Sequence, residues 1–157
     1  MPTKMLSPLK IEIQCATLAI QKSLDAIASS ALIKKWVKAV TQYEGLITLR
    51  FVNQIEGKKL NVTFRDKDKA TNVLTFPYTL TKQSLTADIV LCLPVIQKEA
   101  REQNKTLKSH LAHLIIHGCL HAQGLDHESE KEARKMENRE IQFLKSFGFT
   151  NPYQPIE

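Results

Sequence analysis

All five histidines of the chain lie between residues 110 and 127. The run His117-Gly-Cys-Leu-His121-Ala-Gln-Gly124-Leu-Asp-His127 constrains the fold more than any other stretch. At about 100° per residue, His117 and His121 fall one turn apart on one helix face. Two imidazoles so spaced can grip one metal ion. Gly124 follows the last regular turn, and glycine there accepts a left-handed conformation that reverses the chain. The reversal is expected to bring His127 back towards the first two. Three nitrogens with an open fourth position are the arrangement of a catalytic zinc site, with water in the vacancy.

The spacing His-x3-His-x2-Gly-x2-His is shared with the metzincin proteases. Their general base is a glutamate directly after the first histidine, and here that position is Gly118. The ligand frame is present and the proteolytic base is absent. His110 and His113 lie on the same face a turn or two earlier, and read as packing residues rather than ligands. Cys119 sits about 160° round the helix from His117, so the two cannot share an ion. It reads as a small buried residue. Asp126 adjoins the third histidine. It either holds an imidazole in one tautomer or caps a helix starting at Glu128.

The remaining chain supplies a scaffold of ordinary size. It has 157 residues, 43% hydrophobic and 24% charged. These values exclude wholesale disorder and a disulfide mini-protein, and predict one domain over residues 1–157 with a core of about 9–149. Cys15, Cys92 and Cys119 are too few and too scattered for a disulfide framework. The formal net charge of +6 favours anionic partners such as nucleic acid. No stretch approaches the apolar length of a membrane span, and no secretory leader is visible. A cytoplasmic protein without a membrane partner is expected.

Periodicity gives the elements. Leu9–Cys15 alternates as a half-buried strand. Ser29 and Ser30 can cap a helix carrying Leu32, Ile33, Trp36, Val37, Val40 and Tyr43, which Gly45 would stop. Leu46–Val52 reads as a strand. Asn53 can cap a short helix with Ile55, Leu60 and Phe64. Val73–Phe76 and Asp88–Leu93 read as strands three and four. Pro94 suits the first turn of a helix to about Gln103. Long helices are expected over 107–123 and 128–147, the latter with Ala133, Met136, Leu144 and Phe147 inward. The expected fold is α/β (α+β): a small sheet of about four strands packed by about five helices. The metal site sits on helix 107–123 and the turn after it.

Three blocks carry a family resemblance. The stretch Ile116–His127 resembles the signature of the YbeY family of bacterial ribosomal-RNA maturation factors. Leu60–Pro77 is similar to a second block of that family, and Ala87–Cys92 to a third. The resemblance as a whole runs from about Leu9 to Phe149. The resemblance implies a single-strand-specific, metal-dependent endoribonuclease acting in 16S ribosomal RNA 3′-end maturation and in ribosome quality control. It implies one zinc ion held by His117, His121 and His127. It places the family's arginine on Arg65, a residue that binds or polarises the RNA phosphate. The implied partners are single-stranded ribosomal RNA and the ribosome or its proteins. Asp66 stands where a glycine is usual and Thr75 where serine is common.

A three-histidine zinc keeps its +2 charge, so its bound water ionises near pH 7. Zinc so held would supply hydroxide near neutral pH, as nucleophile at phosphorus or as base for a ribose 2′-OH, and the sequence leaves both routes open. His117 and Arg65 are the expected catalytic residues, Arg65 because its planar fork meets two phosphoryl oxygens at once. Lys34, Lys35, Lys38, Lys58, Lys59, Lys67 and Lys69 are candidates for a groove that holds RNA. Imidazole ligands also suit nickel, copper or iron. Two other readings compete. One is a zinc peptidase or amide hydrolase of metzincin-like geometry. The other is a non-enzymatic ribosome-assembly factor with structural zinc.

Overall fold

A computed structural model describes residues 9–65, 71–125 and 128–154, and of Arg65 the backbone alone. The elements run β1 (Leu9–Cys15), α1 (Leu18–Asp25), α2 (Ser30–Val40), β2 (Glu44–Val52), α3 (Gln54–Arg65), β3 (Val73–Leu80), β4 (Ser84–Cys92), α4 (Leu93–Glu102), α5 (Leu107–Ala122) and α6 (Glu130–Ser146). The four strands form one sheet in the order β1-β2-β4-β3. The first three are mutually parallel, and β3 runs antiparallel to β4 along one edge. The single-domain α+β architecture thus agrees with the sequence expectation, with six helices among the described residues in place of about five.

The additional helix is α1. Thr17 Oγ1 accepts from Ile20 N at 3.1 Å and opens it, and only Ile20 and Leu24 are buried. Two anchors in eight residues give too little periodicity to stand out. Elsewhere caps do what their side chains suit them for. Ser29, Asn53, Thr106 and Ser129 each accept the backbone N–H three residues on, at 3.0–3.2 Å. One expected stop is corrected. α2 ends at Val40, and Gly45 lies inside β2 at φ +129°. A Cβ on Gly45 would stand 2.0 Å from the Leu85 carbonyl oxygen. The glycine therefore serves the close approach of β2 to β4, not the end of a helix.

The sheet has two unequal faces. Ile47, Leu49 and Phe51 of β2 and Leu85, Ala87, Ile89 and Leu91 of β4 enter the larger core with α2, α4, α5 and α6. Val52, Leu74, Val90 and Cys92 face the other way and pack with Leu60 of α3. At the heart of the larger core lies α5, with 11 of its 16 residues buried. It can lie so close to the sheet because residue 118 has no side chain. A Cβ there would meet Ile89 Cγ2 at 2.8 Å and Val73 Cγ2 at 3.4 Å.

On the smaller face a bidentate pair ties α3 to the sheet. Arg50 Nε donates to Glu56 Oε2 at 2.6 Å, and Nη2 donates to Oε1 at 2.9 Å. The hydrogen bond from Arg50 holds the Glu56 carboxyl below the usual carboxylate range. A group depressed on folding contributes stability above its unfolded value, and that stability is lost as pH falls through the folded one. Replacing Glu56 by glutamine should thus cost about 1 kcal/mol or less at neutral pH, since the pair is partly exposed. The gap in urea midpoint between the two proteins should close as pH drops below about 4. A gap that stays constant with pH would show that the charge contributes nothing.

Candidate metal centre

His117 and His121 project from the C-terminal half of α5, and both are part-exposed where most of the helix is buried. Each ring is held from behind through Nδ1. His117 Nδ1 donates to Glu140 Oε1 at 2.9 Å. His121 Nδ1 donates to the Leu125 carbonyl at 3.1 Å. Carboxylate and carbonyl oxygens only accept, so each Nδ1 carries a proton, and in the neutral ring that leaves the lone pair on Nε2. That tautomer, fixed by an acceptor behind the ring, is the one a metal-ligating histidine needs.

The turn after α5 has the left-handed glycine expected of it. Gly124 adopts φ +96°. Its amide bonds back to the His121 carbonyl at 3.0 Å, and the Leu125 amide to the Leu120 carbonyl at 3.2 Å. The chain thus reverses directly after the second histidine, and the reversal delivers the carbonyl that orients His121. The third predicted ligand, His127, lies outside the described residues, as does Asp126. Among the described residues no group of three or more histidine, cysteine or acidic side chains is placed to hold a metal. Arg65 closes α3, with its side chain outside the description, and Lys67 and Lys69 lie outside it altogether.

His110 and His113 are packing residues, as their position suggests, with 4% and 9% exposure. His110 Nε2 pairs with Glu99 Oε1 at 3.1 Å, and Glu99 also accepts from Asn72 Nδ2. Burial holds the His110 imidazole below its ordinary value, against the opposing hydrogen bond to Glu99. His113 Nε2 lies 3.1 Å from Glu140 Oε1 and 3.1 Å from the Tyr153 hydroxyl. Cys119 is fully buried, and burial pushes its thiol up to about 12. It is no ligand.

Glu140 and Tyr153 are the site residues that sequence reasoning missed. Glu140 is fully buried on α6. Burial pushes its carboxyl up, but the bonds from His113 and His117 outweigh this and hold it well below the usual range. Tyr153 donates to it at 2.7 Å, and both burial and that bond raise the phenol. A signal for Glu140 was present. It falls on the inward stripe between Met136 and Leu144, at i−4 and i+4 from it, where an acidic residue is out of place.

The lysines do not share one face. Lys34, Lys35 and Lys38 ride on α2, which packs on the larger core. Lys58 and Lys59 ride on α3, on the opposite side of the sheet.

Fold and site together define an α+β domain whose central helix presents two imidazoles anchored through Nδ1. Comparison with known proteins carries this further. The family model described as Endoribonuclease YbeY matches residues 11–148. An endoribonuclease YbeY from Polynucleobacter asymbioticus is 66% identical over 147 residues, covering 94% of this chain and 95% of the relative. One from Herminiimonas arsenicoxydans is 51% identical over 152 residues, covering 92% and 95%. The solution structure of a Thermotoga maritima protein superposes with a TM-score of 0.54 at 27% identity, covering 86% of this chain and 87% of that one. The chain belongs to the endoribonuclease YbeY family. It is accordingly a hydrolase that cuts RNA internally. Among the described residues no helix is long and apolar enough to cross a membrane.

Proposed function

We propose that the chain, as one domain over residues 1–157, is a single-strand-specific, metal-dependent endoribonuclease of 16S ribosomal RNA 3′-end maturation and ribosome quality control. It works in the cytoplasm on ribosomal RNA, in contact with the ribosome or its proteins. One zinc ion is held by His117, His121 and His127. The observation that carries this reading is the pair of imidazoles on α5, each with its Nδ1 proton committed to an acceptor. The donor set fits the ion: imidazoles with orienting oxygens behind them suit zinc.

Bound zinc supplies Lewis acidity at the phosphoryl group and lowers the pKa of water. The chain's own residues do the rest. Glu140 and the Leu125 carbonyl keep His117 and His121 in the ligating tautomer. Arg65 binds the phosphoryl oxygens with two parallel N–H donors and offsets the charge that develops there. The peptidase alternative meets a steric obstacle at Gly118. Where a proteolytic glutamate would stand, even a Cβ meets Ile89 at 2.8 Å.

The test uses purified protein, a labelled single-stranded RNA and its duplex. The single strand should be cut and the duplex spared. Chelator should stop cleavage, and added zinc should restore it. Cleavage that persists in chelator would overturn the metal-dependent reading. Binding by the chelated protein supplies a second measurement. Phosphate contacts by exposed lysines and Arg65 should weaken affinity about tenfold or more between 50 and 200 mM salt, for three or more contacts. An affinity flat over that range would remove the basic residues from the RNA site.

A further inference from the structure

We propose that Glu140 is the positioning residue for His117, and that the C-terminal segment around Tyr153 locks Glu140 in place. The inference rests on the proposed reading of His117 as a metal ligand. Its basis is a closed arrangement of side chains from three parts of the chain. Glu140 Oε1 accepts from His117 Nδ1 at 2.9 Å and lies 3.1 Å from His113 Nε2. The Tyr153 hydroxyl donates to Oε2 at 2.7 Å and lies 3.1 Å from Oε1. Both carboxylate oxygens are thus engaged, and the group has no room to swing away.

Tyr153 is itself tied down. Its amide bonds to Asn151 Oδ1 at 2.9 Å. Lys105, before α5, donates through Nζ to the Pro152 carbonyl at 2.8 Å. The tyrosine ring also meets the His113 ring edge-on, with centroids 5.3 Å apart. The segment after α6 therefore returns to α5 and delivers one hydroxyl to one carboxylate.

Stability alone gives no reason for a carboxylate at this place. Met136 and Leu144, one turn either side on α6, are apolar and fully buried. A buried charge with its partners is often no better for stability than a well-packed apolar group. What the carboxylate adds is an acceptor that fixes the proton of His117 on Nδ1 and raises the basicity of the other nitrogen.

The test compares zinc affinity, by competition with a chromophoric chelator, and the melting temperature of the metal-free protein. Glu140→Gln keeps the shape and removes the charge, and should weaken zinc binding about 10- to 100-fold. Tyr153→Phe should weaken it by a smaller factor in the same direction. Glu99→Gln disturbs the neighbouring His110 pair and should lower the melting temperature with zinc affinity unchanged. His117→Ala serves as the reference for loss of a ligand. If His117→Ala loses zinc and Glu140→Gln binds it like the parent, the positioning role is overturned while the metal reading stands. If Glu99→Gln weakens zinc as much as Glu140→Gln, the effect is general loosening and the proposal falls. A parent protein that binds no zinc would overturn both readings. Should Glu140→Gln fail to fold, Tyr153→Phe decides, and parental zinc affinity in that variant overturns the proposal.

Discussion

His117→Ala should abolish RNA cleavage, not merely slow it. No side chain at position 118 is available as a base, so under the proposed reading the chemistry depends on the ion that His117 helps to hold. A divalent ion contributes several kcal/mol of transition-state stabilisation, which is about a hundredfold or more in rate. The fold should survive the change. His117 is part-exposed with a side-chain exposure of 27%, and Glu140 keeps His113 and Tyr153 as partners. The measurement is single-turnover cleavage of a labelled single-stranded RNA beside the identically purified parent, with circular dichroism to certify the fold. Residual activity above a few per cent of the parent, free of contaminating nuclease, would remove His117 from the chemistry.

The second large effect concerns Gly118. Gly118→Glu, which writes the metzincin base into this helix, should remove a large part of the fold's stability. The new side chain would start 2.8 Å from Ile89 Cγ2 and 3.4 Å from Val73 Cγ2, within the core between α5 and the sheet. It would carry an unpaired carboxylate into apolar surroundings. Burying such a group and forcing the helix from the sheet should together cost about 4 kcal/mol or more, a large part of a domain's stability. Gly118→Ala tests the steric part alone. Its clash is with a methyl group that can shift, and alanine gains about 1 kcal/mol in helix propensity, so the net loss should be about 1–2 kcal/mol. Denaturant melts of the three proteins measure both. A Gly118→Glu protein as stable as the parent would show that α5 does not need its close approach to the sheet.

Several features of this architecture were legible in the residues. The helical spacing of His117 and His121, the reversal at Gly124 and the cap at Asn53 are local matters, set by backbone geometry within a few residues. Helices 107–122 and 130–146 came through because their apolar repeats are long. What failed to show was decided at a distance. Gly45 looks like a helix stop, yet its conformation answers to the Leu85 carbonyl forty positions away. The burial of Ile20 and Leu24 makes α1, and two residues cannot announce a helix by themselves. Glu140 appears in sequence only as an acidic residue on an otherwise apolar stripe. Its meaning depends on His117 and Tyr153, which tertiary packing alone brings to it. The lysines seemed to be one set, and the sheet separates those on α2 from those on α3.

Seating both imidazoles on the most enclosed helix also has a kinetic side. Amides in the middle of α5 should exchange with solvent only when the whole domain opens, since no smaller unit contains that helix. The backbone that carries the two rings is therefore as persistent as the native state itself. Breathing of the helix does not spread the rings apart. What remains free to act on shorter timescales is rotation about the side-chain bonds, which the contacts at Nδ1 restrain. The orientation of the two rings should then persist for the lifetimes of two hydrogen bonds, to Glu140 and to the Leu125 carbonyl, and not for the lifetime of the fold.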